Sequence, residues 1–492
     1  MSAAGKVYLV GAGPGDPELI TWKGRLALAR ADALLYDHLA NPALLALAPA
    51  AAERIYVGKK KAVHTCTQDE ICRMLVERAR RGLTVVRLKG GDPYIFGRGG
   101  EEAEALADAG VPFEVIPGVT APLGMAAYAG VPLTHRAHTS VVTFVTGHEA
   151  EHIDWSSVGR AETLVIFMGL TAFRQIAERL MACGRSPDTP AIAVRWATRA
   201  DQQSVTGTLG TLADQVERHQ IRPPATIIVG EVVRLRDKLN WFERLPLFGQ
   251  RVVVTRAAGQ AEALSERLRA LGAQALELPT IEIRPLDDYS ALDRAIAKLA
   301  TYDWLIFTSA NGVRFFLERL DRSRHDLRAV RGQIAAIGPA TRAALETVHL
   351  KVDCIGKEFV AESLVEALAG YELTGRRVLL ARAAAARDVL PRALAARGGV
   401  VDVVPAYCTV TPESLAARAA EVLAQRPDWI TFTSSSTIEN LAKAAGAEAL
   451  AGVRVASIGP VTSATAKKFG IPVAAEASSY TIDGLIAAII GQ

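Results

Sequence analysis

Residues 87–102 read RLKGGDPYIFGRGGEE, and the way this run leaves a strand decides how the first half of the chain is built. An apolar stretch, residues 83–88, arrives at Gly90-Gly91, an Asp92-Pro93 turn, an aromatic pair and three more glycines. Glycines let backbone approach a flat ligand, and the Asp-Pro step leaves a carboxylate beside the turn to meet a polar end. Working outward, short apolar runs at 7–10, 33–36, 85–88, 113–116, 141–146, 164–167, 191–194 and 226–229 alternate with amphipathic stretches such as 18–30 and 68–81. That alternation predicts an α/β fold over residues 1–243.

The chain has 492 residues, too many for one ordinary core, so several domains are expected. It is 50% hydrophobic and 22% charged, with net charge +4 and no long basic block, which argues against a nucleic-acid partner. Cys66, Cys72, Cys183, Cys354 and Cys408 show no C-x-x-C spacing and no histidine cluster completes a metal set. No metal is expected, and reduced thiols suit a cytoplasmic protein. The N-terminus enters a strand directly, without a signal pattern, and no apolar run is long enough to span a bilayer, so no membrane is expected.

Residues 7–16, VYLVGAGPGD, place Gly-x-Gly after a strand. A dinucleotide fingerprint needs a third glycine where this chain has Asp16, although Asp37 stands where a ribose-binding acid could lie. The segments GAGPGDPELIT, LLYDHL, VGKK, RLKGGDPYIFGRGGEE, PGVTA, GVPLTHR, TGH, FMGL and LRDKLNWF follow in order. As an ordered set they resemble the uroporphyrinogen-III C-methyltransferases throughout the first half. The resemblance implies a two-lobed tetrapyrrole methylase fold with a non-Rossmann site for S-adenosyl-L-methionine (SAM), the product being S-adenosyl-L-homocysteine. It assigns cofactor contacts to Pro14, Gly90, Gly91, Asp92, Ile95, Thr120, Ala121 and Met168, and to Ala197 where related chains often carry glycine. Ile95 and Met168 read equally as core packing.

The same resemblance makes Asp37 the proton acceptor and Lys59 the proton donor. On local sequence Asp37 could equally cap a helix, and Lys59 opens a lysine run that could be a solvated face. Arg98, His135 and Arg136 are candidates for the substrate carboxylates, which arginine matches bidentately. His135 could instead be structural. A dimer formed through this half is the family's habit. Methylation of a later corrin intermediate, or of diphthine, is the competing reading; GGDPYIFGRGGEE and PLTHR argue against it. No dehydrogenase or iron-chelatase module is expected ahead of the methylase.

LNWFERLPLFG, residues 239–249, breaks the pattern, so residues 244–248 are expected to link two halves. The second half, 249–492, contains a repeat. Arg251-Val252, Arg256, Gly272 and Pro279 match Arg377-Val378, Arg382, Gly398 and Pro405. Asp303-Trp304 with Phe307-Thr308-Ser309 matches Asp428-Trp429 with Phe432-Thr433-Ser434, and Ile337-Gly338-Pro339 matches Ile458-Gly459-Pro460. Two copies predict two similar lobes with a cleft between them. Hydroxyl residues and glycines after strands suit anion binding through backbone N–H groups.

This half resembles uroporphyrinogen-III synthase. The resemblance implies two flavodoxin-like α/β lobes joined by a two-stranded ladder, with crossings near 280–283 and 407–410. Lobe one would hold residues 249–284 and 407–492, lobe two 285–406; the repeat alone suggests a cut near residue 375. By position Tyr407 is expected to assist water loss or proton transfer, with Ser309, Ser434, Ser435, Thr462 and Arg256 contacting carboxylates. Tyr407 reads equally as a buried aromatic. The combined expectation is closure of hydroxymethylbilane to uroporphyrinogen III and its double methylation through precorrin-1 to precorrin-2, on the route to sirohaem and cobalamin. The alternative is a methylase fused to a non-catalytic two-lobed binding module.

Overall fold

A computed structural model describes residues 5–58, 66–357 and 361–491. Contacts divide the chain into two compact units, residues 1–250 with 269–274, and residues 251–268 with 275–492.

The first unit holds two sheets. β1 (Lys6–Gly11), β2 (Ala33–Tyr36), β3 (Glu53–Tyr56), β4 (Thr84–Lys89) and β5 (Phe113–Ile116) form a parallel sheet in the order β3-β2-β4-β1-β5. β6 (Val142–Thr146), β7 (Thr163–Phe167), β8 (Pro190–Arg195), β9 (Gln203–Thr208) and β10 (Ala225–Val229) form a mixed sheet in the order β6-β7-β10-β8-β9, where β10 runs antiparallel to both neighbours. The eight apolar runs of the sequence are strands of these two sheets: six are central, and β5 and β6 are edge strands that still carry the apolar signal. β3 and β9 were not foreseen, because each is an edge strand with a wet face and lacks the apolar signal. The helix expected over 18–30 is shorter. Pro17–Leu19 makes one 3-10 turn, Ile20 is extended, and Thr21 caps the helix Trp22–Leu28 by accepting the Gly24 N–H.

The segment expected to end this half is packed down. The Trp241 indole N–H donates to the Ala127 carbonyl (2.9 Å), and Tyr128 packs edge-on against Phe242 (4.7 Å). Phe242 is therefore core of the first unit, while Trp241 stays half exposed and is held by its indole hydrogen bond.

The second unit contains β11 (Arg251–Val254), β12 (Gln274–Glu277), β13 (Glu282–Arg284), β14 (Trp304–Phe307), β15 (Gln333–Ala336), β16 (Cys354–Ile355), β17 (Arg377–Ala383), β18 (Val400–Val410), β19 (Trp429–Phe432), β20 (Arg454–Ser457) and β21 (Ala475–Glu476). They form sheets in the orders β12-β11-β19-β20-β21 and β13-β18-β17-β14-β15-β16. The repeat maps strand for strand: β11 on β17, β12 on β18, β19 on β14, β20 on β15 and β21 on β16. Numbered by repeat, the first sheet reads 2-1-3-4-5, the flavodoxin order, and the second reads the same with β13 added at its edge. The opening strands of the first copy pair with the closing strands of the second, so each lobe is built from both copies.

The matched Asp-Trp pairs have a local cause. The Asp303 carboxylate accepts the Arg377 N–H (2.8 Å) and the Asp428 carboxylate accepts the Arg251 N–H (2.7 Å), which pins the same strand pair in both lobes. The crossing is β13 on β18, antiparallel, with Glu282 opposite Val410 and Arg284 opposite Cys408. β18 is long enough, at 11 residues, to serve both this ladder and the parallel pairing with β17.

Candidate active sites

In the first unit three loops leave the carboxyl ends of neighbouring parallel strands and close on one another. Gly13, after β1, and Gly91, after β4, exchange backbone hydrogen bonds (Gly91 N–H to Gly13 O, 2.8 Å; Gly13 N–H to Gly91 O, 3.2 Å). The third loop follows β5: a Cβ on Gly118 would lie 2.3 Å from the Gly91 carbonyl oxygen and 2.7 Å from the Gly11 Cα. Only glycine allows that approach, and Gly91 adds a φ of +68°.

Asp92 accepts two backbone N–H groups, from Tyr94 (2.8 Å) and Gly118 (2.9 Å). Its carboxylate braces the loops, and the remaining lone pairs are those available to a cationic ligand. Thr120 is buried and begins the helix Ala121–Ala129 without a side-chain cap, leaving first-turn N–H groups free of the hydroxyl. Pro14 lies against that helix, where a Cβ on Gly124 would meet its ring at 2.4 Å. Ala197 is brought to the same place by its carbonyl, 2.9 Å from where a Gly15 Cβ would stand. Gly90 abuts Leu39, in the loop that begins at Asp37.

The β1 loop is held by groups the motif reading missed. The Asp16 N–H donates to Thr198 Oγ1 (2.8 Å), Asn41 donates to the Gly15 carbonyl (2.7 Å), and the Tyr128 hydroxyl donates to Asp16 (2.8 Å). Burial and the Asp16 charge push the Tyr128 hydroxyl well above the usual phenol range.

Met168 and Ile95 are exposed, which removes the core reading for both. Their loops are joined by the Phe96–Phe167 ring contact (4.8 Å). Phe96, Arg98, Met168, Trp196 and Thr198 all adopt positive φ (49° to 72°). Such backbone costs about 1–2 kcal/mol per residue, and its gathering in these loops marks a functional region.

Asp37 ends β2. Its Oδ1 accepts the Leu39 N–H (3.0 Å) and its Oδ2 pairs with Arg87 (3.2 Å). It is thus both a local cap and a member of an ion network. Lys59 lies outside the described residues. Arg98 is exposed and makes a bidentate pair with Glu101 (2.8 and 2.6 Å). His135 and Arg136 sit on an exposed turn closed by His135 and Thr139. The His135 and His138 rings lie against each other, tilted, with centroids 4.8 Å apart.

Behind Asp37 lies a cluster that the sequence reading missed. Arg87, Lys89 and Glu102 are the buried charged side chains among the described residues. One oxygen of Glu102 accepts from Arg87 Nε (3.2 Å), Lys89 Nζ (2.8 Å) and Gln68 Nε2 (3.2 Å). Burial, then the Arg87 charge, lowers the Lys89 ammonium from the usual lysine value. A visible signal was available: two cations at alternate positions of a strand that the sheet buries on both edges.

In the second unit the expected residues again stand at carboxyl ends of parallel strands. Tyr407, buried, stacks on Phe315 (5.6 Å) and shares a hydrogen bond with Ser309 (2.9 Å), whose hydroxyl also accepts the Gly312 N–H (3.0 Å). Burial raises the Tyr407 hydroxyl above its ordinary value and the Ser309 bond opposes this. In the other sheet Arg256 follows β11, Ser434 and Ser435 follow β19, and Thr462 is buried in the first turn of the helix after β20. Ser434 bonds Ser436 (3.0 Å) and leaves the helix Ser435–Ala445 without a side-chain cap, while Ser435 accepts from Thr465 (2.8 Å). Arg256 has no hydrogen-bond or ion-pair partner among the described residues, and burial lowers its guanidinium value. A half-buried, unpartnered cation beside uncapped helix starts is an arrangement whose charge and free N–H groups suit an anion.

No group of three or more His, Cys, Asp or Glu side chains is placed to hold a metal among the described residues, and no helix there is long and apolar enough to cross a membrane.

Comparison with known proteins adds to this geometry. Residues 6–213 match the family model "Tetrapyrrole (Corrin/Porphyrin) Methylases", and residues 262–487 match "Uroporphyrinogen-III synthase HemD". The chain is 36% identical over 491 residues to the porphyrin biosynthesis protein HemD of Ruminiclostridium josui, covering 98% of this chain and 97% of that one. It is 39% identical to the uroporphyrinogen-III C-methyltransferase of Bacillus subtilis, covering 70% of this chain and 71% of that one. The siroheme synthase of Pseudomonas aeruginosa (strain UCBPP-PA14) is 53% identical over 245 residues, 49% of this chain, and the match spans about half of that relative's length (53%). Among solved structures, the uroporphyrin-III C-methyltransferase of Thermus thermophilus, crystallised with S-adenyl homocysteine, is 45% identical and covers 47% of this chain and 100% of its own, with a TM-score of 0.42.

Proposed function

This chain belongs to the family in which a tetrapyrrole methylase is fused to a uroporphyrinogen-III synthase, and on that premise we propose that it closes hydroxymethylbilane to uroporphyrinogen III and methylates the product twice with SAM, by way of precorrin-1, to precorrin-2. The observation that carries the methylase reading is the closure of the Gly13, Gly91 and Gly118 loops over a helix start at Thr120. Such a cradle presents backbone N–H groups and one carboxylate, Asp92, to a ligand with a carboxylate and an ammonium. Pro14, Gly90, Gly91, Asp92, Thr120, Ala121 and Ala197 line the cradle in this reading, and the exposed Ile95 and Met168 cover the apolar part of SAM.

Methyl transfer needs alignment more than activation. The sulfonium carbon–sulfur bond breaks as an electron-rich pyrrole carbon takes the methyl group, the pair left on sulfur gives S-adenosyl-L-homocysteine, and a proton then leaves the macrocycle. Asp37 accepts that proton, and Lys59 is its partner as donor. Arg98, His135 and Arg136 face the carboxylate-bearing edge of the substrate.

In the synthase half, loss of the bilane hydroxyl as water gives an azafulvene cation that the folded chain must meet at the right carbon. The helix starts at Ser309, Ser434, Ser435 and Thr462, with the unpartnered Arg256, hold carboxylates and so fold the bilane. Tyr407 is the proton-bearing group nearest to them in chemistry. Replacing it with phenylalanine keeps the packing on Phe315 and the Ser309 cap. Tyr407→Phe is expected to lower the rate of ring closure about tenfold, the worth of one hydrogen bond, with methylation of supplied uroporphyrinogen III unchanged. The ratio of type III to spontaneously formed isomer, followed over time, measures it; an unchanged ratio removes Tyr407 from the chemistry.

Free cysteines throughout the described residues suit the cytoplasm. Pairing of two copies through the first unit follows from the family resemblance.

A further inference from the structure

Four charges, two of each sign, are gathered at the end of β4: Asp37, Arg87, Lys89 and Glu102. Glu102 is 0% exposed, Lys89 3% and Arg87 5%. Withdrawing such groups from water costs several kcal/mol per ion, and well-packed apolar residues of the same size are often as stable or more so. The cluster is therefore poorly explained as a stabilising device. Its layout explains it better as a support for the one member that reaches the surface.

Arg87 has three donor positions committed to three partners. Nε holds Glu102 (3.2 Å), Nη1 holds the Leu88 carbonyl (2.9 Å) and Nη2 holds Asp37 Oδ2 (3.2 Å). Glu102 fixes the inner edge of the guanidinium from the first turn of the helix Gly99–Asp108, where the helix dipole favours a carboxylate. Lys89 balances the Glu102 charge on the same oxygen (2.8 Å). The other Glu102 oxygen has no hydrogen-bond partner among the described residues, so its anchoring runs through the single oxygen shared by Arg87, Lys89 and Gln68.

We propose that Glu102 is a positioning residue for methyl transfer: it locks Arg87, and through Arg87 it sets the orientation of the Asp37 carboxylate toward the substrate. This rests on the reading of Asp37 as proton acceptor. Glu102 touches neither substrate nor SAM, so its loss acts on turnover and leaves binding alone.

A double-mutant cycle on the full-length chain tests it, with uroporphyrinogen III and SAM as substrates and ring closure by the second half as the check on folding. Glu102→Gln is expected to lower kcat for methylation by roughly tenfold to a hundredfold, with KM and the affinity for S-adenosyl-L-homocysteine within about threefold. In an Asp37→Asn background the same change is expected to cost less than about threefold, because the group it positions is already lost. A full, multiplied loss in that background overturns the proposal, as does a Glu102→Gln kcat within about twofold of the parent. Glu102→Gln/Lys89→Met removes one charge of each sign and guards against a folding defect from an unbalanced lysine. Its kcat is expected to stay low, and recovery to within about threefold of the parent would show that Glu102 only neutralises Lys89. If Asp37→Asn alone keeps parental turnover, the assignment of Asp37 fails first, and that result is distinct from all of these.

Discussion

Asp37→Asn is expected to lower kcat for methylation of uroporphyrinogen III by about 10²–10⁴-fold, the usual worth of a positioned proton acceptor. The substitution is nearly isosteric, so the β2 end keeps its shape. It removes the acceptor, however, and turns an amide NH₂ toward either the Leu39 N–H or the Arg87 guanidinium, both of which are donors. Binding of S-adenosyl-L-homocysteine should stay within about threefold, because the Gly13, Gly91 and Gly118 loops do not depend on Asp37, and ring closure should be unchanged. Product counts from single-turnover and steady-state methylation read the effect. A kcat within tenfold of the parent would leave proton removal to another group or to water.

The second large effect is expected at Gly118. A methyl group there meets backbone on both sides, 2.3 Å from the Gly91 oxygen and 2.7 Å from the Gly11 Cα. Backbone cannot yield as a flexible side chain would, so the loops must part and the Gly118 N–H bond to Asp92 (2.9 Å) must lengthen. Gly118→Ala is expected to weaken binding of S-adenosyl-L-homocysteine by roughly ten- to a hundredfold, about 1–3 kcal/mol. Calorimetric titration measures it. Affinity unchanged in a folded variant would mean that the cofactor does not use the three-loop junction.

Of the glycines at this junction Gly91 was legible in GGD, whereas Gly13 and Gly118 stood in the motifs GAGPG and PGVTA without being singled out, because their close approach appears only when β1, β4 and β5 lie side by side. Most of the aliphatic strands were legible because burial selects apolar runs, which β4 interrupts with Arg87 and Lys89. β3 and β9 were not, since an edge strand can be half wet and still pair. Asp92 was read as a ligand group alone, and its two backbone acceptors appear only when β5 is folded beside β4. Arg87 and Lys89 were visible as cations in a central strand, yet their partner Glu102 is 13 residues or more along the chain on a helix, and nothing local ties them. In the second half the repeat was plain in the matched Asp-Trp and Ile-Gly-Pro segments. The exchange of strands between copies was not plain from the repeat, because pairing of β11 with β19 joins residues 176 to 178 apart in sequence through contacts such as Thr255 to Thr431.

The central claim is that one chain carries two successive activities, each in its own unit. Purified full-length protein given hydroxymethylbilane, first without and then with SAM, tests it most directly. Uroporphyrinogen III in the first case and its dimethylated product in the second are predicted. Formation of only the spontaneously closed isomer without SAM, unchanged by adding SAM, would contradict it.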